Sequence, residues 1–513
     1  MKRTERWLFN HQNKHRALAL TCVTLVSTWL SSPVHAATEA QSSSQKPMNI
    51  LMIAVDDLNH WVGNLNRNQQ VKTPNIDALA SKGMSFQRAY APAAICNATR
   101  SAMMTGLRPS TSGVYSNGRD WRSVVGPHRS LPAFFKANGY KTLGGGKIFH
   151  KDSVARLEEW DYYYFQNKHP ETFSLSTEEQ AEVDARGPEK NNRYKIGKLP
   201  ISELAGGDDV LNDYHVARWA SAELSKTHEQ PFFMSVGIFR PHLPWAVPKK
   251  YFEMYPEQSI ELPPYKEDDL ADLPKGKNKP AVEHTMILKE GGWKRAIRAY
   301  LASVTYADAQ VGRVLEALEN GPNKDNTMIV LWGDHGWHLG EKHRWRKFAL
   351  WEEATRTPYI WVVPGVTTPN SATETPVDLQ SIWQTMANIS GLDAPNYVEG
   401  ENLIPLLENA NASWHTPALT TQGYKNHAVR YKQLRLIQYA NGTEEFYDHS
   451  VDPYEWENLA GQPAKLAPYA ADIAKMRNYL PTHNREWNEA SKLYGGDPAY
   501  AKFKKTKMVD TND

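Results

Sequence analysis

Cysteine is nearly missing from this chain. Two occur in 513 residues, Cys22 and Cys96, which excludes a disulfide-rich scaffold. A surplus of charge is missing too. The 59 basic residues face 57 acidic ones, and Lys2, Arg3, Arg6, Lys14 and Arg16, opposed locally by Glu5 alone, hold more than the whole net charge of +2. The remainder lacks the electrostatic footprint of a nucleic-acid binder or of a protein held on an anionic membrane, so neither partner is expected. Long apolar runs are also lacking. The one run, Ala17 to Leu30, is shorter than the ~20 residues a spanning helix needs. It follows a basic start and leads to the small-residue site Val34-His35-Ala36, the pattern of a secretory signal peptide over 1–36, cleaved near Ala36. The expectation is an exported protein, periplasmic or secreted, whose mature chain keeps Cys96 as its single thiol and can form no internal disulfide.

With 41% hydrophobic and 23% charged residues, the rest is globular and long enough for a sizeable core. Asn49 to Val55 is a nearly uninterrupted apolar run, as expected of a strand buried on both faces of a parallel sheet. Thr73-Pro74 supplies an N-cap and a first-turn proline for a helix over Asn75 to Lys82, which Gly83 stops; Ser130-Leu-Pro to Asn138-Gly139 repeats the signal. Lys141 to Leu143, Phe232 to Phe239 and Met328 to Trp332 read as further strands, and Arg295 to Asn320 as a long amphipathic helix closed by Gly321. Strand and helix alternate, which predicts an α/β fold with a large, mostly parallel sheet sandwiched by helices. The polar stretch Glu171 to Lys198 reads as a surface insertion, and Lys502 to Asp513 as a charged, frayed end. Tyr424 to Tyr439 reads as two short β-runs and Glu445 to Asp448 as another, predicting a smaller C-terminal antiparallel α+β subdomain with terminal helices. The domain expectation is a main, site-bearing domain over 47–395 and a subdomain over 396–513.

Ligands of open α/β sheets gather at the carboxyl ends of the strands. Asp56-Asp57 follows the first strand there, and Gly333-Asp334-His335-Gly336 follows Met328 to Trp332. Either pair alone reads as turn or capping residues. Together, three carboxylates and an imidazole on one rim suit a hard divalent cation, calcium or magnesium. The sharpest segment is Ala91 to Gly106, where Cys96 and Arg100 are spaced i, i+4 and stack on one helical face. Most lone cysteines are inert buried thiols. A nucleophile at this helix start, however, would feel both the guanidinium and the positive end of the helix dipole, which suits a tetrahedral oxyanion.

On these residues the chain resembles the formylglycine-dependent sulfatases of the alkaline phosphatase superfamily. Their signature, C-x-P-x-R followed by x-x-x-x-T-G, finds Cys96, Arg100, Thr105 and Gly106 in register. "NILMIAVDDLN", "TPNIDALASKGMSF", "GGGKIFH", "FRPHLPW", "LWGDHGWHLGEK" and "FYDHSVDPYEWENLA" follow in family order, and "GKIFH", "PHLPW" and "DHGWHLGE" look most like the iduronate-2-sulfatase branch. One departure is Ala98 in place of the usual proline, which implies a maturation system that accepts C-x-A-x-R.

The resemblance implies an alkaline phosphatase-like fold and conversion of Cys96 to formylglycine by a formylglycine-generating maturation enzyme. The hydrated aldehyde then supplies the nucleophilic oxygen, and its second hydroxyl allows release of sulfate without attack by water. It further implies that Asp56, Asp57, Asp334 and His335 bind a metal, calcium by analogy, with His335 standing where many relatives carry an amide. Arg100 would hold the diol, Lys147 and Lys347 would contact sulfate, and His150 would contact the diol. His242 would lie near the leaving oxygen, either His242 or Lys347 serving as the acid. The triple glycine before Lys147 would let the backbone approach the ligand closely. Arg119, Trp121, Arg122, Arg240, Trp337, His338 and Arg344 flank these motifs and are candidates to bind a sulfated carbohydrate, with a 2-O-sulfate as the leading expectation. The competing readings are a formylglycine-dependent phosphonate monoester or phosphodiester hydrolase, and a catalytically silent glycan-binding protein.

Overall fold

Strand β1, Asn49–Val55, is buried at every position. Its alternate side chains serve two separate cores: Leu51, Ile53 and Val55 enter one apolar cluster, Ile50, Met52 and Ala54 another. A strand feeding cores on both faces has no polar face to show, which is why its sequence does not alternate. Each large apolar side chain buried this way contributes about 1.5–3 kcal/mol. The computed structural model describes residues 47–122, 129–150, 158–164 and 192–486. The expected signal peptide, most of the expected insertion and the charged C-terminal end lie outside the described residues.

The other strands of the main sheet are β2 (Met84–Phe86), β3 (Lys141–Gly146), β4 (Tyr162–Tyr164), β5 (Phe232–Ile238), β6 (Thr327–Gly333), β7 (Tyr359–Val362) and β8 (Ser371–Thr373), in the order β8-β2-β7-β6-β1-β5-β3-β4. The run β6-β1-β5-β3-β4 is parallel throughout. Strand β7 runs antiparallel to both of its neighbours, making the sheet mixed at that side. The helices are α1 (Pro74–Ser81), α2 (Cys96–Thr105), α3 (Leu131–Ala137), α4 (Asn212–Leu224), α5 (Trp293–Glu319) and α6 (Ser381–Ile389). Side chains of α1, α4 and α5 fill the core on one face, and those of α2, α3 and α6 the core on the other. The α/β sandwich expected from the sequence is therefore present. Among the described residues, no helix is long and apolar enough to cross a membrane.

Three local expectations need correction. Thr73 does not cap α1 with its side chain; its hydroxyl accepts the Gly63 N–H at 2.8 Å. Within the expected insertion, Asn192–Ile196 is a strand that pairs antiparallel with Leu199–Leu204. The glycines of β3 answer to packing: a Cβ at Gly144 would strike Tyr163, and one at Gly145 would strike Trp219. At Gly146, φ is +72° and a Cβ would meet the Gly237 carbonyl at 2.0 Å. Toward the C-terminus, Ala418–Thr421, His427–Tyr431, Leu434–Gln438 and Glu444–Asp448 form an antiparallel sheet, and Ala470–Asn478 a late helix. This sheet is tied to the segment before α2, since Thr421 N–H donates to the Pro92 carbonyl at 2.8 Å and Thr420 Oγ1 to Ala91 at 2.6 Å.

Candidate active site

Four adjacent parallel strands each end in a charged or imidazole-bearing segment. Asp56 follows β1, Asp334 follows β6, Lys147 follows β3, and Phe239 to His242 follow β5. The backbone ladder continues one step into the site, with Asp56 N–H on the Ile238 carbonyl at 3.0 Å, Lys147 N–H on Gly237 at 3.0 Å and Asp334 N–H on Val55 at 3.3 Å. These side chains are thereby fixed by the sheet itself.

Helix α2 brings the nucleophile candidate to them. Cys96 is its first residue, all ten of its residues are buried, and Gly106 closes it at φ +71°. Arg100, one turn on, spends its donors on the cluster: Nη2 on Asp56 at 2.9 Å, Nε on Asp334 at 2.9 Å, and Nη1 on the Lys147 and Ile148 carbonyls. It therefore clamps two carboxylates from different strands and makes no hydrogen bond to the thiol. The Cys96 Sγ instead meets Lys347 Nζ at 3.1 Å and His335 Nε2 at 3.3 Å, and His150 also reaches it. Burial alone would raise this thiol, but Lys347, Lys147 and His335 outweigh burial and hold it well below its usual range.

Asp57 is the centre of the second half. Its carboxylate meets Lys347 Nζ at 2.7 Å, His335 Nε2 at 3.3 Å and His242 Nε2 at 3.8 Å, while Asp56 pairs with Lys147. Asp57 Oδ2 is buried without a hydrogen-bond partner. Burial, and next the Asp56 charge, push Asp334 up to about 8. Donor atoms of Asp56, Asp57, Cys96 and His242 lie within 4.8 Å of one another, as do those of Cys96, Asp334 and His335. An orphaned carboxylate oxygen beside crowded acids and an imidazole fits a divalent cation, which would satisfy the oxygen and offset the repulsion. His335 Nδ1 is engaged by the Gly336 carbonyl at 2.9 Å, which leaves Nε2 for the cluster. Only His150 and His242 keep partial exposure within this group, 19% for the His242 side chain, so the pocket opens on their side.

The peripheral candidates are placed differently. Trp121 stacks on Phe149, Arg122 pairs with Glu159 at 2.5 Å, Arg240 Nε donates to the Ala246 carbonyl at 3.0 Å, and His338 lies buried edge-on to Trp351. Trp337 lies beneath Lys347, whose Nζ is 5.3 Å from its ring centroid. These five are buried, whereas Arg119 and Arg344 remain partly exposed.

Sequence reasoning missed Tyr300 and Asp213. Tyr300 Oη accepts the Asn59 N–H at 3.0 Å and donates to the Asp57 carbonyl at 2.9 Å, fastening Asp57 at φ +56°. Asp213 accepts the N–H groups of Phe239 and Arg240 at 2.7 and 2.9 Å, holding the turn that carries His242. Tyr300 is one buried residue of a long helix and carries no local signal. Asp213 sits in the first turn of α4, where an acid reads as dipole compensation.

A family model described as Sulfatase matches residues 48–392, and one described as N-sulphoglucosamine sulphohydrolase, C-terminal, matches residues 333–480. A protein named Sulfatase from Formosa agariphila is 37% identical over 466 residues, covering 88% of this chain and 90% of its own. The Iduronate 2-sulfatase of Homo sapiens is 31% identical over 404 residues, covering 70% of this chain and 71% of its own. Among solved structures, the Phosphonate Monoester Hydrolase of Agrobacterium radiobacter superposes with a TM-score of 0.67 at 20% identity, over 85% of this chain and 96% of that one. That likeness speaks for the fold alone.

Proposed function

This chain belongs to the sulfatase family and is a sulfuric ester hydrolase, and from that premise we propose that it removes O-sulfate, foremost 2-O-sulfate, from a sulfated polysaccharide or oligosaccharide. The substrate proposal draws on the iduronate 2-sulfatase relative, on the "GKIFH", "PHLPW" and "DHGWHLGE" segments and on the partly open mouth at His150 and His242. In the same reading Cys96 is converted to formylglycine by a maturation enzyme, the protein is exported behind its basic-apolar leader, and residues 47–395 form the catalytic domain with 396–513 as its C-terminal subdomain.

The observation that carries the proposal is the placement of Cys96 Sγ, at a helix N-terminus and 3.1 Å from Lys347, 3.3 Å from His335 and 3.9 Å from Asp57. Formylglycine at this position, hydrated to its geminal diol, would supply the nucleophilic oxygen, with the second hydroxyl available for release of sulfate. Asp56, Asp57, Asp334 and His335 would hold a divalent cation, calcium in this reading, which when bound neutralises charge on sulfate and nucleophile. Arg100 keeps Asp56 and Asp334 in place. Lys147 and Lys347 bind the sulfate oxygens, and His150 orients residue 96. His242 donates the proton to the departing sugar oxygen: in-line displacement places the leaving group opposite the nucleophile, and Lys347 already touches the nucleophile's atom. His242 Nδ1 is occupied by the Leu243 carbonyl at 2.6 Å, leaving Nε2 toward the pocket. Arg119 and Arg344 are the partly exposed candidates to meet the rest of the glycan.

Peptide mass spectrometry of the protein made with a cysteine-type maturation system tests the reading, together with turnover of a panel of sulfated oligosaccharides. Loss of sulfur from residue 96 accompanied by release of sulfate is expected. Sulfate release by a chain whose Cys96 stays intact would rule out the formylglycine mechanism, and faster turnover of a phosphonate monoester than of every sulfate would favour the competing hydrolase reading.

A further inference from the structure

Lys347 is flanked by two residues of left-handed backbone, Arg346 at φ 69° and Phe348 at φ 70°. A bulky side chain is crowded there, and such strain persists where something else requires the residue. The Arg346 side chain has an evident use, an ion pair with Glu283 at 3.0 Å. Among the described residues, no ring contact engages Phe348. Its N–H donates to the Ala94 carbonyl at 3.2 Å, two residues before Cys96, so its backbone is pinned beside the reaction centre. The residue is 43% exposed.

The other exposed aromatic residues among those described do have partners, Tyr162 stacking on Trp219 and Tyr265 on His343. Phe348 thus combines a strained backbone, an exposed apolar face and a position next to the lysine that touches the nucleophile. A lone exposed ring is ordinary on a protein surface; what singles this one out is the left-handed backbone that carries it directly beside Lys347. The charged residues of the pocket recognise an anion of any parentage, so recognition of the sugar has to come from elsewhere. A pyranose presents a face of C–H groups, slightly positive at its edge, which complements the electron-rich face of an aromatic ring.

We infer that Phe348 is a substrate-binding residue, its ring being the platform on which the sulfated sugar lays its C–H face while the adjacent Lys347 holds the sulfate. The inference rests on the proposed reading that the substrate is a sulfated glycan. Because the stacking lies away from the reacting sulfur, its loss falls on KM rather than on kcat.

The test uses the full-length, matured enzyme and the Phe348→Gly and Phe348→Trp variants. Glycine accepts φ 70° without a Cβ, so Phe348→Gly removes the ring and relieves the backbone together. For a sulfated oligosaccharide that the parent turns over, Phe348→Gly is expected to raise KM about tenfold, as loss of one stacked face implies, and Phe348→Trp to bring it back. Inorganic sulfate, as a competitive inhibitor, reads the anion pocket without a sugar, and its Ki should not move. The melting temperature of Phe348→Gly should not fall below that of the parent. An unchanged KM overturns the inference. So does a joint rise of KM and the sulfate Ki, which would make Phe348 a support for Lys347, and so does a clear drop in melting temperature, which would assign the ring to folding. A parent enzyme that releases no sulfate from any glycan would overturn the proposed function itself, before any variant is made.

Discussion

His242 and Lys347 differ in which side of the reacting atom each can reach, and that difference can be read kinetically. If His242 is the acid, His242→Ala should slow hydrolysis of a sugar sulfate about 10²–10⁴-fold, whereas an aryl sulfate, whose phenolate needs little protonation, should lose at least roughly tenfold less. Equal losses on both substrates would move the role to Lys347. Tyr300 allows a second comparison. Tyr300→Phe removes one oxygen, leaves the Asn59 N–H and the Asp57 carbonyl without their partner, and should cost about 1–3 kcal/mol of stability. It should also weaken binding of the proposed divalent cation, tested with calcium, because Asp57 is freed from φ +56°. Calorimetric titration with an unchanged calcium affinity would confine Tyr300 to folding. That Asp56, Asp57, Cys96 and Asp334 would converge was legible in the sequence, because an acid or thiol at a strand or helix end has a position that composition alone does not demand. Tyr300 was not legible, since a tyrosine 243 residues from the carbonyl it holds looks like any other buried ring of its helix.

At the scale of elements, β1, β5 and β6 were recognised because strands buried on both faces leave unbroken apolar runs. The short β2 and β8, with three residues each, leave no such run, and their pairing is decided by distant partners; β7, Tyr359–Val362, does leave one, which the sequence reading passed over. The capping expectation at Thr73 failed for a related reason: Gly63, ten residues earlier, claims the hydroxyl. Helix α2 ends where Thr105-Gly106 combines a last-turn hydroxyl with a left-handed closing glycine. A Cβ at Gly106 would meet Val398 at 2.9 Å in addition to the strain of φ +71°. Gly106→Ala is therefore expected to destabilise the protein by about 1–3 kcal/mol, measured by denaturant titration, while Gly461→Ala, whose Cβ would meet nothing within 4 Å, should change it far less. Comparable effects at the two sites would remove the closing turn from the argument.

On the scale of the whole molecule, a buried charge network joins the C-terminal sheet to the body. Glu352 pairs with Arg435, Glu455 pairs with Arg435 at 2.5 Å and with His449 at 2.9 Å, and Arg430 stands 3.5 Å from Glu352. Burial acts to raise Glu455, but Arg435 and His449 outweigh it and hold the carboxyl at about 2 rather than 4.5. Burial lowers His338 from 6.5 to about 4. Both groups are depressed in the folded state, so the unfolded chain takes up each proton at the higher pH and acid favours unfolding. The contribution of these two groups is fully present above pH 6.5, erodes through His338 between 6.5 and about 4, and erodes further through Glu455 between 4.5 and about 2, whereas Asp334, pushed up to about 8, acts in the opposite direction. Melting temperatures of the parent and of Glu455→Gln check the sign: the gap between them should narrow as pH falls from 4.5 toward 2, and a gap that widens would refute it. Removing one partner, as in Glu455→Gln, should cost about 3–5 kcal/mol at neutral pH, because Arg435 would be left buried with one carboxylate fewer. The sequence showed that a late antiparallel sheet exists, but the ties that fasten it run between residues more than 80 positions apart and leave no local trace.

The burial of all ten residues of α2 also sets an order of events in time. A folded chain presents no extended strand around Cys96 for another enzyme to grip, and its thiol is shut behind Lys347 and His335. If Cys96 is matured as proposed, maturation and folding compete for the same segment, and the yield of modified protein becomes a ratio of two rates. On that reading, a chain that closes α2 against the sheet too early would be left correctly shaped but unmodified, its fold no guide to whether residue 96 is finished.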